Sequence, residues 1–211
     1  MDDDSPVDPG RTEYLIKQYA LQQGALEIQY IEEFFNEYPR RKSAGEVMAR
    51  LGDREHQILM AEASLPDDPS TVVPVSFKVA HELRAHETEP KLADLVARLR
   101  DHVKFDGRKV LYQWIGRTRR DWRGQGHFRA LTEEQEVWAV SRGFDETIVK
   151  TKNRFYGMRG TLSQLRFDVI KYERHAVDNR ESKVYFSKQL NRGLIAEHQS
   201  LLSVVYAERD A

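Results

Sequence analysis

Arg123, Gly124, Gln125, Gly126, His127 and Phe128 are the residues whose types and spacing most directly suggest chemistry. Two glycines one residue apart let a backbone turn tightly and approach a ligand closely. Arg117, Arg119, Arg120, Arg123 and Arg129 surround them with positive charge. An apolar run, Val110 to Ile115, enters this stretch, and a helix-forming run, Ala130 to Val140, leaves it. Strand, glycine turn and helix start in succession leave unpartnered amide N–H groups and the positive end of a helix dipole in one place. A phosphate-bearing ligand suits that place.

A second group of residues could act on such a ligand. Glu82, at the end of an alternating strand, is a candidate general base, with His81 beside it on the opposite face. Tyr112 and Gln113 could line an acceptor cleft. A backbone N–H between Val110 and Arg117 could stabilise an oxyanion. The histidines lack metal-ligand spacing, and the chain has no cysteine. No metal, disulfide or thiol nucleophile is therefore expected.

The elements that must position these residues follow from periodicity. Glu13 to Ala20 reads as a short first strand. In Ala25 to Tyr38, the residues Ile28, Ile31, Phe35 and Tyr38 fall on one helix face, which Pro39 ends. Ser43 and Glu46 form a capping-box pattern before a short helix closed by Gly52. His56 to Ala63 is a compact strand, and Leu65 to Ser70 a hairpin-type loop. Val73, Val75, Phe77 and Val79 alternate with Pro74, Ser76, Lys78 and Ala80, which predicts a half-buried strand over Val72 to Glu82. Pro74 belongs at an edge or bulge. Thr88 can cap and Pro90 can start an inserted helix, with Leu92, Leu95, Val96, Leu99 and Val103 on one face. The helix after the glycines ends at Gly143. Phe144 to Thr151 is the next strand, Asn153 to Leu165 the next helix, and Phe167 to Tyr172 with Val184 to Leu190 a last hairpin. Trp114, Trp122 and Trp138 read as core or cleft wall.

This order predicts an α/β (α+β) architecture, a mixed sheet with helices on both faces. Residues 1–10 read as a disordered leader, residues 11–190 as one domain with the inserted helix near 88–104, and residues 191–211 as an apolar tail suited to packing on the body or on a second copy. A formal net charge of -1 argues against nucleic acid as the partner. No run of about 18 apolar residues suggests a membrane span, and no signal peptide is evident, so a cytoplasmic setting is the default.

From Val110 to about Tyr172 the chain resembles the GNAT superfamily of acyl-CoA N-acyltransferases. That family runs a strand into an Arg/Gln-x-x-Gly-x-Gly/Ala loop and then a helix. Arg123, Gly126 and Phe128 fall on its three positions, with Gly124 inside the loop. Asn153 matches the asparagine that heads the following helix. Leu165-Arg166-Phe167 stands where the family closes that helix with Gly-Phe. Leu162 stands where it often has a tyrosine that protonates the leaving thiolate, and Tyr156 and Tyr172 are nearby substitutes.

The resemblance implies a splayed pair of central strands with acetyl-CoA (coenzyme A) between them. Gly116, Arg117 and Thr118 would pair through their backbone with the pantetheine arm, the amides of Gly124, Gln125, Gly126, His127 and Phe128 would hold the pyrophosphate with Arg123, and Asn153 would contact the cofactor near its pantetheine end. The activity so implied is transfer of an acetyl group to a primary amine of a small molecule or peptide, with Glu82 as base and Tyr156 as acid. The alternatives are a non-catalytic CoA-binding regulator and an RNA-binding module that uses the arginines.

Overall fold

A computed structural model describes residues 13–22, 26–34, 42–65 and 67–191. The expected leader, the end of the first helix after Phe34 and all of the tail but Asn191 lie outside them. The elements are β1 (Tyr14–Tyr19), α1 (Leu26–Phe34), α2 (Ala44–Leu51), β2 (His56–Leu65), β3 (Asp68–Leu83), α3 (Pro90–Leu99), β4 (Val110–Thr118), α4 (His127–Ser141), β5 (Glu146–Lys152), α5 (Tyr156–Gln164), β6 (Asp168–Glu173) and β7 (Lys183–Gln189). The strands form one sheet of seven in the order β1-β2-β3-β4-β5-β7-β6. Only β4 and β5 run parallel; the other neighbours are antiparallel. This is the mixed sheet that the hairpins and crossovers imply.

Helices cover both faces. Ile28, Ile31 and Phe34 of α1 and Val47 and Leu51 of α2 pack on Ile58, Met60, Phe77 and Val79. On the same face, Leu92, Leu95, Val96 and Leu99 of α3 pack on Leu83, Val110, Tyr112 and Ile148. Burying each such side chain contributes about 1.5–3 kcal/mol, so α3 belongs to the body of the domain. On the opposite face, Leu131 and Ala139 of α4 meet Leu59, Val75, Ala80 and Leu111, and Leu162 of α5 meets Val149, Val184 and Phe186.

Local signals account for several boundaries. The Ser43 side chain accepts from the Glu46 N–H at 3.2 Å while Ser43 N–H donates to the Glu46 carboxylate at 3.0 Å, a closed capping box worth about 1 kcal/mol. Pro74 pairs with Glu62 beside a bulge in β2–β3, where its missing N–H is tolerated. Three expectations are corrected. The residue capping α3 is Glu89, not Thr88, and its side chain makes no capping bond. Helix α4 starts at His127 and α5 at Tyr156, because loops deliver their first turns. Strand β3 is not half-buried over its second half: Ser76, Lys78 and Ala80 are as buried as Val75, Phe77 and Val79, because α4 covers their face.

Candidate functional site

Strands β4 and β5 pair only from Val110↔Glu146 to Gln113↔Val149. Beyond that point β4 stays paired with β3, from Val79↔Ile115 to Ser76↔Thr118, and β5 stays paired with β7, from Lys150↔Tyr185 to Lys152↔Lys183. The two strands therefore diverge, and between them opens a wedge. Among the described residues no strand pairing bridges it, so its walls are a template for an extended ligand with amides of its own. The β3–β4 register shifts between Val79 and Ala80, which leaves Trp114 as the extra residue at the apex of the wedge. A bulge of this kind re-aims backbone groups next to a site.

The wall formed by β4 ends at the glycine loop. One 3₁₀ turn, Arg120–Trp122, leads to Gly124 and Gly126, whose φ angles of +82° and +85° are left-handed and suit glycine. Gly126 is the N-cap of α4, makes no side-chain cap bond, and no acidic residue follows in the first turn. The α4 amides and dipole are thus left for an external anion. His127 turns its ring inward, edge-on to Tyr14 at 4.3 Å and stacked on Trp122 at 6.3 Å. Burial lowers the His127 pKa. The Phe128 ring packs against the cluster of Val149, Leu162 and Phe186. Both bulky side chains of the loop so leave its outer surface to the backbone. Gly116 sits where a Cβ would lie 3.1 Å from the Phe77 carbonyl oxygen, a tight contact that the β3 backbone would have to yield to by a few tenths of an ångström.

The arginines are divided among structural contacts. Arg123 donates to the Thr118 carbonyl at 3.3 Å, closing the loop on β4, and Arg117 donates to the Gly116 carbonyl at 3.2 Å. Arg119 donates to the Pro74 carbonyl at 2.8 Å and lies over the Phe34 ring, and Arg129 pairs with Glu133. Asn153 follows β5 on the other wall, where its Nδ2 donates to the Asn179 carbonyl at 3.1 Å and its side-chain oxygen accepts from Arg159. It ties the end of β5 to the β6–β7 connection.

The side of the apex that faces α1, α2 and α3 is aromatic. His81, paired with Tyr112 in register, is fully buried, with its ring edge-on to Tyr112 at 5.6 Å and to Trp114 at 5.7 Å. Its Nδ1 donates to the Glu82 carbonyl at 2.7 Å, which leaves Nε2 as a lone-pair acceptor with no partner among the described residues. Burial holds the His81 pKa down at about 4, so the ring is neutral at pH 7. Arg50 lies 4.4 Å above the Trp114 ring and pairs with Glu89.

Two candidates stand elsewhere. Glu82 pairs with Leu111, short of the apex, on the face covered by α4, and its carboxylate bonds Arg84 at 3.1 Å. Tyr156 is 63% exposed at the start of α5, with the Arg159 guanidinium 5.8 Å from its ring. Sequence reasoning also passed over a buried polar layer beneath the wedge: Lys78 and Gln113 on the sheet, with Thr132, Gln135 and Glu136 on α4. A lysine set between Phe77 and Val79 was the signal that could have found it.

No family model and no curated protein matches the sequence. Solved structures do share the fold. NAA60 from Arabidopsis thaliana, in complex with acetyl-CoA, aligns 99% of its chain with 84% of this one at a TM-score of 0.63 and 13% identity. The ribosomal-protein-S18-alanine N-acetyltransferase from Escherichia coli aligns 95% of its chain with 84% of this one at 0.55 and 14% identity. A GNAT-family protein from Desulfovibrio desulfuricans aligns 100% of its chain with 85% of this one at 0.55 and 12% identity. Agreement over nearly the whole of each solved chain establishes that this protein has the fold of the GNAT acetyltransferase superfamily.

Proposed function

We propose that the protein is an acetyl-CoA-dependent N-acetyltransferase that acts on a primary amine of a peptide or small molecule. The observation that carries this reading is the wedge between β4 and β5 running into the uncapped start of α4. An extended amide-bearing arm fits the unpaired strand edges, and a pyrophosphate fits the helix start. No lone phosphate would need both. NAA60 in complex with acetyl-CoA supports the choice of ligand.

Bound acetyl-CoA would supply the acyl group as a thioester. The backbone of Gly116, Arg117 and Thr118 would hold the arm, the amides from Gly124 to Phe128 the pyrophosphate, and Arg123 would keep the loop closed on β4. Asn153 would brace the opposite wall. The bulge at Trp114 would aim a backbone N–H at the thioester oxygen. The acceptor amine would enter over Trp114, on the side of α1, α2 and α3. His81 replaces Glu82 as the group that assists it, since His81 reaches the apex and Glu82 does not. A neutral imidazole held at about 4 accepts a hydrogen bond from the amine or from a water and relays the proton without retaining it.

The test is a thermal shift with acetyl-CoA followed by thiol release in the presence of peptides with free amino termini and of small amines. Stabilisation together with amine-dependent CoA release is the expected result. Absence of stabilisation at millimolar acetyl-CoA would sink the reading.

A further inference from the structure

Lys78 is an ionisable group that the acceptor-side chemistry leaves unused. It projects from β3 toward α4, and its Cγ lies 3.4 Å from where a Gly116 Cβ would stand, so the side chain crosses beneath β4 along the wall of the wedge. Its ammonium donates to the Thr132 hydroxyl of α4 and lies 4.5 Å from the centre of the Phe128 ring. That ring packs against Val149 of β5 and Leu162 of α5. The ammonium therefore starts on one side of the wedge and ends against residues from the other. It is 3% exposed and, among the described residues, has no carboxylate bonded to it. The nearest charges facing it are Glu136 of α4 and, beyond, Lys188 of β7, which binds that same carboxylate at 2.6 Å.

The layer around it has spare hydrogen-bonding capacity. Among the described residues, Gln135 is fully buried with neither amide atom partnered, and the Gln113 side-chain oxygen is buried without a partner just where β4 and β5 part. Unpaired buried amides are costly unless water or a ligand reaches them. Burial brings the Lys78 pKa down to about 7, against the opposing pull of Glu136. A neutral-range acid thus stands under the wedge, on the face opposite His81.

We propose that Lys78 is the catalytic acid that protonates the departing CoA thiolate. This rests on the acyltransferase reading. The acceptor nitrogen forms a bond to the carbonyl carbon and passes its proton to the acceptor side. The C–S bond breaks with its electron pair going to sulfur. The Lys78 ammonium gives one proton to that sulfur, leaving CoA thiol and a neutral amine, and solvent restores the proton through the polar layer of Thr132, Gln135 and Glu136. Leu162, which has no proton to give, is compatible with an acid placed on the other side of the Phe128 ring.

The first test needs no variant. The thiol of CoA bound to the unaltered protein, followed by its thiolate ultraviolet absorbance against pH, should begin to ionise in a step near pH 7, where the thiol and the Lys78 ammonium compete to release one proton as a coupled pair. Absence of any thiolate below the titration of free CoA overturns the proposal. In Lys78→Met that early step should vanish, and in Lys78→Arg early ionisation should remain. Both variants should lose about a hundredfold in kcat with little change in KM for acetyl-CoA, because arginine keeps the charge but does not release a proton. Turnover of Lys78→Arg within a few-fold of the parent overturns it. Failure of the acyltransferase reading would show separately, as no binding of acetyl-CoA by the unaltered protein, and would overturn the proposal too.

Discussion

The two faces of β3 present a contrast within one strand. Lys78 and His81 are three residues apart, both buried, and both held by burial below their ordinary pKa. Lys78 faces α4 through a layer of amides, hydroxyls and a carboxylate. His81 faces the opposite side through Tyr112 and Trp114. The wedge opens between these environments. One side carries buried amides, a hydroxyl and ionisable groups, the other a set of aromatic rings. A parity change along a single strand separates the two kinds of chemistry.

Five substitutions can break or sharpen this contrast. The largest effect belongs to the frame of the acceptor side. Glu87 binds both terminal nitrogens of Arg54 at 2.6 Å, with both side chains buried. Glu87→Ala leaves the buried Arg54 guanidinium with only the long Asp53 contact at 3.8 Å as a charged partner and should cost about 3–5 kcal/mol of stability, read by urea unfolding. Acetyl-CoA affinity of the folded fraction should stay within about twofold of the parent.

His81→Phe comes next. It should lower kcat by about a hundredfold with acetyl-CoA binding unchanged in a calorimetric titration. The same variant tests the pH linkage. The His81 pKa is depressed in the fold, so the unfolded chain binds the extra proton. The parent should lose stability as pH falls from about 6.5 toward 4, by up to about 3 kcal/mol. Equilibrium unfolding across that window should show a smaller loss in His81→Phe.

Gly126→Val acts on the other face. A β-branched residue at φ +85° is strained by about 1–3 kcal/mol, and its side chain would crowd the loop surface. Acetyl-CoA affinity should fall tenfold or more, measured by the same titration, while the pH dependence of unfolding stays that of the parent. The smallest effects are expected at Glu82 and Tyr156. Glu82→Gln and Tyr156→Phe should each leave kcat/KM within about twofold in the thiol-release assay, since one carboxylate is spent on Arg84 and the other side chain is largely in solvent.

How much was legible in the sequence follows the same division. The glycine loop reads directly, because left-handed φ angles and close backbone approach demand one residue type at fixed spacing. The Ser43–Glu46 cap and the bulge at Pro74 read for the same reason: each is a local constraint. The alternation in β3 placed Phe77 and Val79 correctly but gave Lys78 to solvent, because periodicity cannot see a helix fifty residues away closing over the second face. Glu82 was attractive as a carboxylate at a strand end. Only the structure shows that its carboxylate turns to Arg84 while the His81 ring meets Trp114 at 5.7 Å. The acceptor side is assembled from α1, α2, α3 and β4, and no short motif spans elements so far apart.

The central claim is that the unpaired edge of β4 holds the acyl carrier. Backbone amide hydrogen exchange with and without acetyl-CoA tests it most directly. The account requires slowed exchange in the stretch from Ile115 to Thr118, together with slowed exchange from Gly124 to Phe128 at the start of α4. Binding of acetyl-CoA that slows exchange at the glycine loop but leaves Ile115 to Thr118 unchanged would contradict it.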